Sequence, residues 1–295
     1  MIYFIVLILI LLVYAVLQSV SLKKEKKARK FFKNKIPLVF AHRGSSHLFP
    51  ENTEFAFDRA FSMGVDGFET DIRLTKDKEI ITHHNEDIDE TSNGCGKVID
   101  YTVDEIQSFN FGYKFVDING NKPFLEKVSG LNPMKITDFF RKYGNRVLYS
   151  IDVKDEGENG KIAAELLYKY VKEFKLEKNV IFASFHDDIT DYLRNISNGD
   201  IIISGSKNKS KEVVYSSYLG YDFFKKFDTQ GLQLPTFHTL PLATKYLIYK
   251  LHKHNMFIQY WTINTKDEMK KLIDKKVDGI TTDRVDIFFD LTDKN

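Results

Sequence analysis

The sequence predicts a parallel α/β fold and, within that class, a (β/α)8 or TIM barrel. From residue 36 onward, short apolar runs with strand character alternate with stretches of helical periodicity. About eight such units fit into roughly 260 residues, which is the usual size of a barrel. Polar residues follow nearly every predicted strand, whereas the sites of a doubly wound sheet cluster at one switch point.

The predicted elements follow one another in a regular order. Strands are predicted at residues 37–41, 67–72, 79–84, 147–153, 180–184, 200–204, 257–263 and 279–282, with a weaker candidate, strand or loop, at 231–234. Helical patterns lie between them at residues 53–62, 161–174, 242–254 and 266–275. The alternation stops between residues 85 and 133, so we expect a small insertion there, after the third strand of a barrel domain that spans 36–295.

The start of the chain predicts a transmembrane anchor. Residues 1–22 carry no charged side chain, and a helix of that length reaches about 33 Å, enough to cross the hydrocarbon core. A secretory signal peptide would need a basic start and a small-residue cleavage site, and neither is evident. A buried core helix is the alternative interpretation.

Residues 23–35 are predicted to form a basic juxtamembrane linker, with eight Lys or Arg and one Glu. The positive-inside rule then predicts a single-pass membrane protein whose folded domain lies on the cytoplasmic side. Cys95 is the only cysteine in the sequence, which is compatible with a reducing compartment. The rest of the chain is net acidic, which argues against a nucleic-acid partner.

Two carboxylates on one predicted strand are the most informative pair. Glu69 and Asp71 stand two residues apart and therefore point to the same face. Like charges held side by side are unfavourable unless a cation lies between them, and Mg²⁺ or Ca²⁺ prefers such oxygen ligands. The alternative is a solvated strand face whose carboxylates pair with nearby lysines.

Further polar residues are predicted to lie at the same end of the barrel. His42 and His84 end the first and third predicted strands, and Asp152 shares an inward face with Lys154 on the fourth. Trp261 lies near the end of a late strand, where its ring could form a wall of the site. Histidines beside carboxylates can move protons and help to bind a divalent cation.

At this point the sequence resembles the glycerophosphodiester phosphodiesterase family, in particular its membrane-anchored members. The resemblance covers essentially residues 37–286 and lies in an ordered set of motifs. These are H-R-G at 42–44, P-E-N-T at 50–53, E-T-D at 69–71, I-I-T-H-H at 80–84, I-D-V-K at 151–154, Y-W-T-I-N at 260–264 and D-G-I-T-T-D at 278–283.

The resemblance implies a role for each matching residue. It implies acid–base catalysis by His42 and His84, and one divalent cation (Mg²⁺ or Ca²⁺) held by Glu69, Asp71 and Asp152. It also implies that Arg43 and Lys154 bind the phosphate and that Glu51 belongs to the site. Three departures from the family pattern are Asn85 in place of Asp, Asp152 in place of the common Glu, and a poor match at 133–136.

The expected activity is metal-dependent hydrolysis of glycerophosphodiesters to an alcohol and glycerol phosphate, the work of a phosphoric diester hydrolase. One alternative is a lysophospholipase D that acts on lysophospholipids, because an anchor favours a lipid substrate. Another is a non-catalytic, membrane-tethered binding protein, which only Asn85 and the shorter Asp152 favour. The expected partners are therefore the diester or lysolipid substrate and, through the N-terminal helix, the membrane.

Overall fold

The computed structural model describes residues 2–19, 32 and 37–292. Its strands are β1 (Leu38–His42), β2 (Gly67–Leu74), β3 (Ile80–Thr82), β4 (Leu148–Val153), β5 (Val180–Ala183), β6 (Ile202–Ile203), β7 (Gly231–Leu234), β8 (Phe257–Tyr260) and β9 (Gly279–Thr282). All of them except β3 pair in parallel, in the order β6-β5-β4-β2-β1-β9-β8-β7. A parallel bridge from Ser204 to Gly231 joins the two ends, so the barrel is nearly closed.

The predicted barrel is confirmed, but one of its predicted strands is not part of it. β3 pairs antiparallel with the end of β2, with Ile72 opposite Thr82. The turn that precedes it reverses the chain within a few residues, as the hydrogen bond from Thr75 N to Glu79 O shows. A parallel neighbour would need a crossover of about a dozen residues or more. The weak candidate at 231–234 is instead a barrel strand, β7.

Helices cover the outside of the barrel and extend the chain at its start. They are α1 (Ile2–Ser19), α2 (Glu54–Ser62), α3 (Val103–Ser108), α4 (Ile136–Tyr143), α5 (Gly157–Glu173), α6 (Asp187–Ser197), α7 (Lys207–Leu219), α8 (Lys245–Lys253), α9 (Lys266–Asp274) and α10 (Val285–Thr292). Threonine begins several of them by accepting a hydrogen bond from a first-turn amide, as Thr53, Thr102, Thr244 and Thr265 do.

The predicted membrane anchor is wrong. The described N-terminal helix is α1, which covers 18 residues. Among the described residues, no helix combines the length and the apolar character needed to cross a bilayer. The expected single-pass membrane location, cytoplasmic orientation and membrane partner are therefore not upheld. The predicted basic linker, 23–35, lies outside the described residues except for Phe32.

The segment predicted as an insertion follows β3 and so lies between the second and third barrel strands rather than after the third. It forms a small hydrophobic cluster of its own with the adjoining strand, made of Ile81, Ile88, Val98, Val103, Ile106 and Phe111. This cluster anchors the residues that follow β3 against the barrel.

The inside of the barrel is layered. At the floor, Gly67 and Gly231 leave room for aromatic rings. A Cβ on Gly67 would lie 2.6 Å from the Phe40 ring, and a Cβ on Gly231 would lie 2.1 Å from the Phe257 ring. Above them is a hydrogen-bonded polar layer, in which Gln233 donates to Ser150 Oγ at 2.6 Å. Alternate residues higher on the same strands reach the C-terminal mouth.

His83 gives the fold a predictable response to pH. Its side chain is buried and Nε2 donates a hydrogen bond of 3.0 Å to the Asp87 carbonyl. Burial lowers the pKa of His83 to about 4. The unfolded chain therefore takes up the proton first, and stability is lost as the pH falls from about 6.5 towards 4.

We expect this histidine to account for about 2 kcal/mol of lost stability between pH 7.5 and pH 5. His83→Gln keeps an amide donor for the Asp87 carbonyl but does not titrate, so its unfolding free energy should fall by about 2 kcal/mol less over the same range. Urea unfolding of both proteins at the two pH values measures the difference. Equal pH dependence in the two proteins would contradict the assignment.

Candidate active site

The register of the parallel strands brings the predicted site residues together. His42 on β1 stands opposite Glu69 on β2, and Asp71 on β2 stands opposite Asp152 on β4. Neighbouring strands lie about 4.8 Å apart, and these residues all belong to the inward-facing set. The order of strands therefore fixes a row of one imidazole and three carboxylates across the mouth of the barrel.

Two cations offset the charge of this row. Lys154 Nζ lies 3.0 Å from Asp71 Oδ1 and 2.7 Å from Asp152 Oδ2. Arg43 Nε lies 3.2 Å from Asp71 Oδ2, and its Nη1 lies 3.1 Å from Glu51 Oε1. Glu51 thus holds Arg43 in place.

The carboxylates differ in how easily they ionise. Burial alone would raise the pKa of Asp71, but Lys154 and Arg43 outweigh it, so the pKa is lowered. Burial, aided by the charge of Asp71, raises the pKa of Glu69 to about 7. Burial also raises the pKa of Asp152, against the opposing effect of Lys154. Asp71 therefore carries the most firmly held negative charge of the three.

His42 is oriented by a carboxylate from the last barrel strand. Its Nδ1 lies 2.5 Å from Asp283 Oδ1, and Asp283 also accepts hydrogen bonds from Ser46 Oγ at 2.5 Å and Asn264 Nδ2 at 2.7 Å. Burial would lower the pKa of His42, but Glu69 and Asp283 together raise it. Because Nδ1 donates to Asp283, Nε2 is the nitrogen that faces Glu69, at 3.7 Å from Oε2.

His84 reaches the mouth from the start of the insertion rather than from a barrel strand. Its Nδ1 lies 2.5 Å from Asn85 Oδ1, and Asn85 Nδ2 donates to Glu90 Oε2 at 2.5 Å. Arg73 Nε donates to the His84 carbonyl at 3.1 Å. Burial lowers the pKa of His84. The Asn85 amide oxygen therefore orients the His84 ring by accepting from Nδ1.

These side chains surround one cavity of about 660 Å³. It is lined by every predicted site residue except Glu51, namely His42, Arg43, Glu69, Asp71, His84, Asp152, Lys154 and Trp261. The Trp261 ring packs edge-on against Phe185 with ring centres 6.2 Å apart, so it forms part of the wall. Such a volume is typical of a small-molecule site.

Asn264 and Asp283 end the motifs at 260–264 and 278–283, but they were assigned no role in the site from the sequence. Their contact with His42 depends on β9 lying next to β1, a pairing that becomes visible only when the barrel closes. His47 lies at the rim, half exposed, with Nε2 3.5 Å from Asp283 Oδ2.

A barrel mouth that collects cations and imidazoles in this way has the groups that a hydrolase of anionic esters uses. More narrowly, residues 42–287 match the glycerophosphoryl diester phosphodiesterase family, and the chain belongs to that family. It is therefore a phosphoric diester hydrolase, as the motifs predicted. Enzymes of this family generally depend on a divalent metal ion.

Individual relatives agree with this assignment. A glycerophosphodiester phosphodiesterase of Caldanaerobacter subterraneus subsp. tengcongensis is 30% identical over 259 residues, 87% of this chain and 98% of that protein. The glycerophosphoryl diester phosphodiesterase domain of a Mycobacterium tuberculosis protein shares the fold, with a TM-score of 0.71 at 17% identity, over 84% of this chain and 96% of that one. An Oleispira antarctica phosphodiesterase, solved with the product sn-glycerol-3-phosphate, gives a TM-score of 0.69 at 17% identity, over 88% and 98%.

The carboxylate oxygens that make no hydrogen bond show whether the site suits a metal ion. Within the described part of the chain, no three His, Cys, Asp or Glu side chains form a ready-made metal site. The Lys154 ammonium instead bridges Asp71 and Asp152. Each carboxylate nevertheless keeps one buried oxygen that makes no hydrogen bond among the described residues: Glu69 Oε2, Asp71 Oδ2 and Asp152 Oδ1. Two of these oxygens face a cationic or titratable nitrogen, Asp71 Oδ2 at 3.2 Å from Arg43 Nε and Glu69 Oε2 at 3.7 Å from His42 Nε2. Three such oxygens fit a hard cation by their chemistry.

The charge balance predicts the effect of removing Lys154. In EDTA, Lys154→Met leaves buried carboxylates without their shared cation, and we expect the free energy of unfolding to fall by about 3 kcal/mol. Lys97→Met is the matched control, because Lys97 makes an exposed ion pair with Glu86 at 2.7 Å, and the loss of an exposed pair should change the stability much less. Urea unfolding measures both. A loss no larger than that of the control would show that the carboxylates do not need Lys154.

Proposed function

We propose that this chain hydrolyses glycerophosphodiesters to an alcohol and glycerol phosphate, with His42 and His84 as the acid–base pair. The observation that supports this most strongly is that imidazoles from two separate elements line one cavity with Arg43 and Lys154. Hydrolysis of a phosphodiester is helped by cations that offset its charge, a base for the attacking hydroxyl and an acid for the leaving oxygen.

In the proposed reaction, Arg43 and Lys154 bind the non-bridging oxygens of the phosphate. One imidazole takes the proton of the attacking hydroxyl as its oxygen bonds to phosphorus. The other imidazole gives a proton to the oxygen of the leaving alcohol as its bond to phosphorus breaks. The attacking hydroxyl is that of glycerol C2, so a cyclic phosphate forms first, and water then opens it to glycerol phosphate while the two imidazoles exchange roles. Asp283 and Asn85 act as positioning residues, because each accepts from Nδ1 and so turns Nε2 of its histidine towards the substrate.

Glu69, Asp71 and Asp152 are proposed to hold one divalent cation, Mg²⁺ or Ca²⁺, through the oxygens that make no hydrogen bond. When bound, such an ion supplies a Lewis acid that polarises a phosphoryl oxygen. Asp152 is a shorter side chain than the Glu expected from the family, yet its register opposite Asp71 keeps it beside the other ligands. Glu51 is proposed to act only through Arg43, since it does not line the cavity.

A non-catalytic binding protein is not upheld as an alternative, because the chain belongs to an enzyme family and retains both histidines. Lysophospholipase D activity remains a second candidate. It is favoured by the size of the cavity and by apolar lining residues such as Val214, Leu240 and Leu242. A small diester does not need that wall, whereas an acyl chain would gain from it.

Loss of either imidazole should greatly slow turnover while leaving the fold intact. We expect His42→Ala and His84→Ala to lower kcat by about 10³-fold, as removal of a general acid or base does. His252→Ala is the control, because His252 pairs with Asp278 and does not line the cavity. Release of glycerol phosphate is measured, with and without EDTA and with Mg²⁺ or Ca²⁺ restored. Activity that survives EDTA would refute the metal proposal, and activity that survives His84→Ala would refute the acid–base assignment.

The two candidate substrates are separated by direct comparison. We expect kcat/KM for glycerophosphoethanolamine to exceed that for lysophosphatidylethanolamine, below its micelle concentration, by about tenfold or more, because the main proposal needs only the diester and its headgroup. The two compounds differ by the acyl chain alone. Equal or higher kcat/KM on the lysolipid would favour the lysophospholipase D.

A further inference from the structure

The cavity extends well beyond the catalytic groups. Its second part is formed where α7 begins, and we call it the lysine end; its residues are Ser204, Lys207, Ser210, Lys211 and Tyr215. All three carboxylates that line the cavity lie at the catalytic end, on β2 and β4. Among the described residues, the lysine end is therefore lined by cations and hydroxyls without an acidic group.

The two lysines share one helix face. Lys207 and Lys211 stand four residues apart on α7, so their side chains are neighbours. Like charges at this spacing repel each other, and within the described ranges neither lysine forms a salt bridge. Lys209, between them in sequence, instead pairs with Asp228 at 3.2 Å. Lys207 and Lys211, which line the cavity, therefore have no acidic partner among the described residues, whereas Lys209 has one.

An independent observation comes from the end of β6. Ser204 is only 1% exposed, lines the cavity, and its hydroxyl has no hydrogen-bond partner in the part of the chain that the structure describes. Buried hydroxyls are nearly always paired. A ligand group at the lysine end would supply the missing partner.

We propose that the lysine end binds the alcohol part of the diester and selects alcohols that carry a negative charge, a carboxylate or a phosphate. This rests on the proposed function, since the phosphodiester must lie at the catalytic end. Ammonium and hydroxyl groups are donors that suit an anionic oxygen. A cationic headgroup such as choline would instead meet two like charges and no carboxylate there.

Two substrates that differ by a single group test the proposal. Glycerophosphoserine is glycerophosphoethanolamine with one added carboxylate. We expect kcat/KM to be at least about tenfold higher for the serine diester, the effect of one hydrogen bond to a charged group. Glycerophosphoglycerol with and without a terminal phosphate forms the second pair, and it shows whether a carboxylate or a phosphate is the preferred anion.

The double variant K207Q/K211Q keeps hydrogen-bonding side chains but removes both charges. In it the preference for the anionic member of each pair should fall towards 1, mainly through a higher KM. K209Q is the matched control on the same turn and should keep both the activity and the preference of the unmodified protein. Thermal unfolding of each variant verifies that the fold is intact.

The outcomes are distinct. Equal kcat/KM within both pairs, a preference for the cationic or neutral member, or a preference that persists in K207Q/K211Q overturns the proposal. If no diester is hydrolysed, the proposed function fails, but the lysine end is still tested by calorimetric binding of the serine and ethanolamine diesters. Tighter binding of the serine diester that is lost in K207Q/K211Q supports the proposal, and equal binding overturns it.

Discussion

The balance of charge across the barrel mouth is the constraint on which this site depends. Parallel pairing forces Asp71 beside Asp152, and alternation along β2 adds Glu69. Three buried carboxylates so close together would be strongly unfavourable alone. Lys154 and Arg43 make the arrangement stable, and the same two cations are suited to an anionic substrate. Stability and substrate binding therefore rest on the same contacts.

This shared dependence explains the surrounding hydrogen bonds. Each group at the mouth is held by a residue that does not face the substrate: Glu51 holds Arg43, Asp283 holds His42, and Asn85 holds His84. Such supports fix side chains that would otherwise rearrange to neutralise one another. The polar layer beneath, with Gln233 bonded to Ser150, continues the pattern towards the apolar floor.

Much of the fold could be predicted from the sequence, because strands buried on both faces are short apolar runs that end in polar residues. β3 misled the prediction, since Ile80 and Ile81 are as apolar as any barrel strand although they pair outside it. β7 looked weak because its inward residues are Gly231 and Gln233. The role of Asp283 depends on β9 meeting β1, which no local pattern reveals. The predicted anchor was wrong, although it was argued from an uncharged segment, its length and its basic flank.

The position of β3 has a consequence for how the site can fail. His42 is built into a strand paired on both sides, whereas His84 belongs to a segment with its own minor core around Ile88 and Ile106. Small peripheral cores open at lower free energy than the centre of a protein. A substitution that destabilises that core would therefore displace the His84 imidazole and inactivate the enzyme. Measurements that report on the barrel alone would still indicate a native structure.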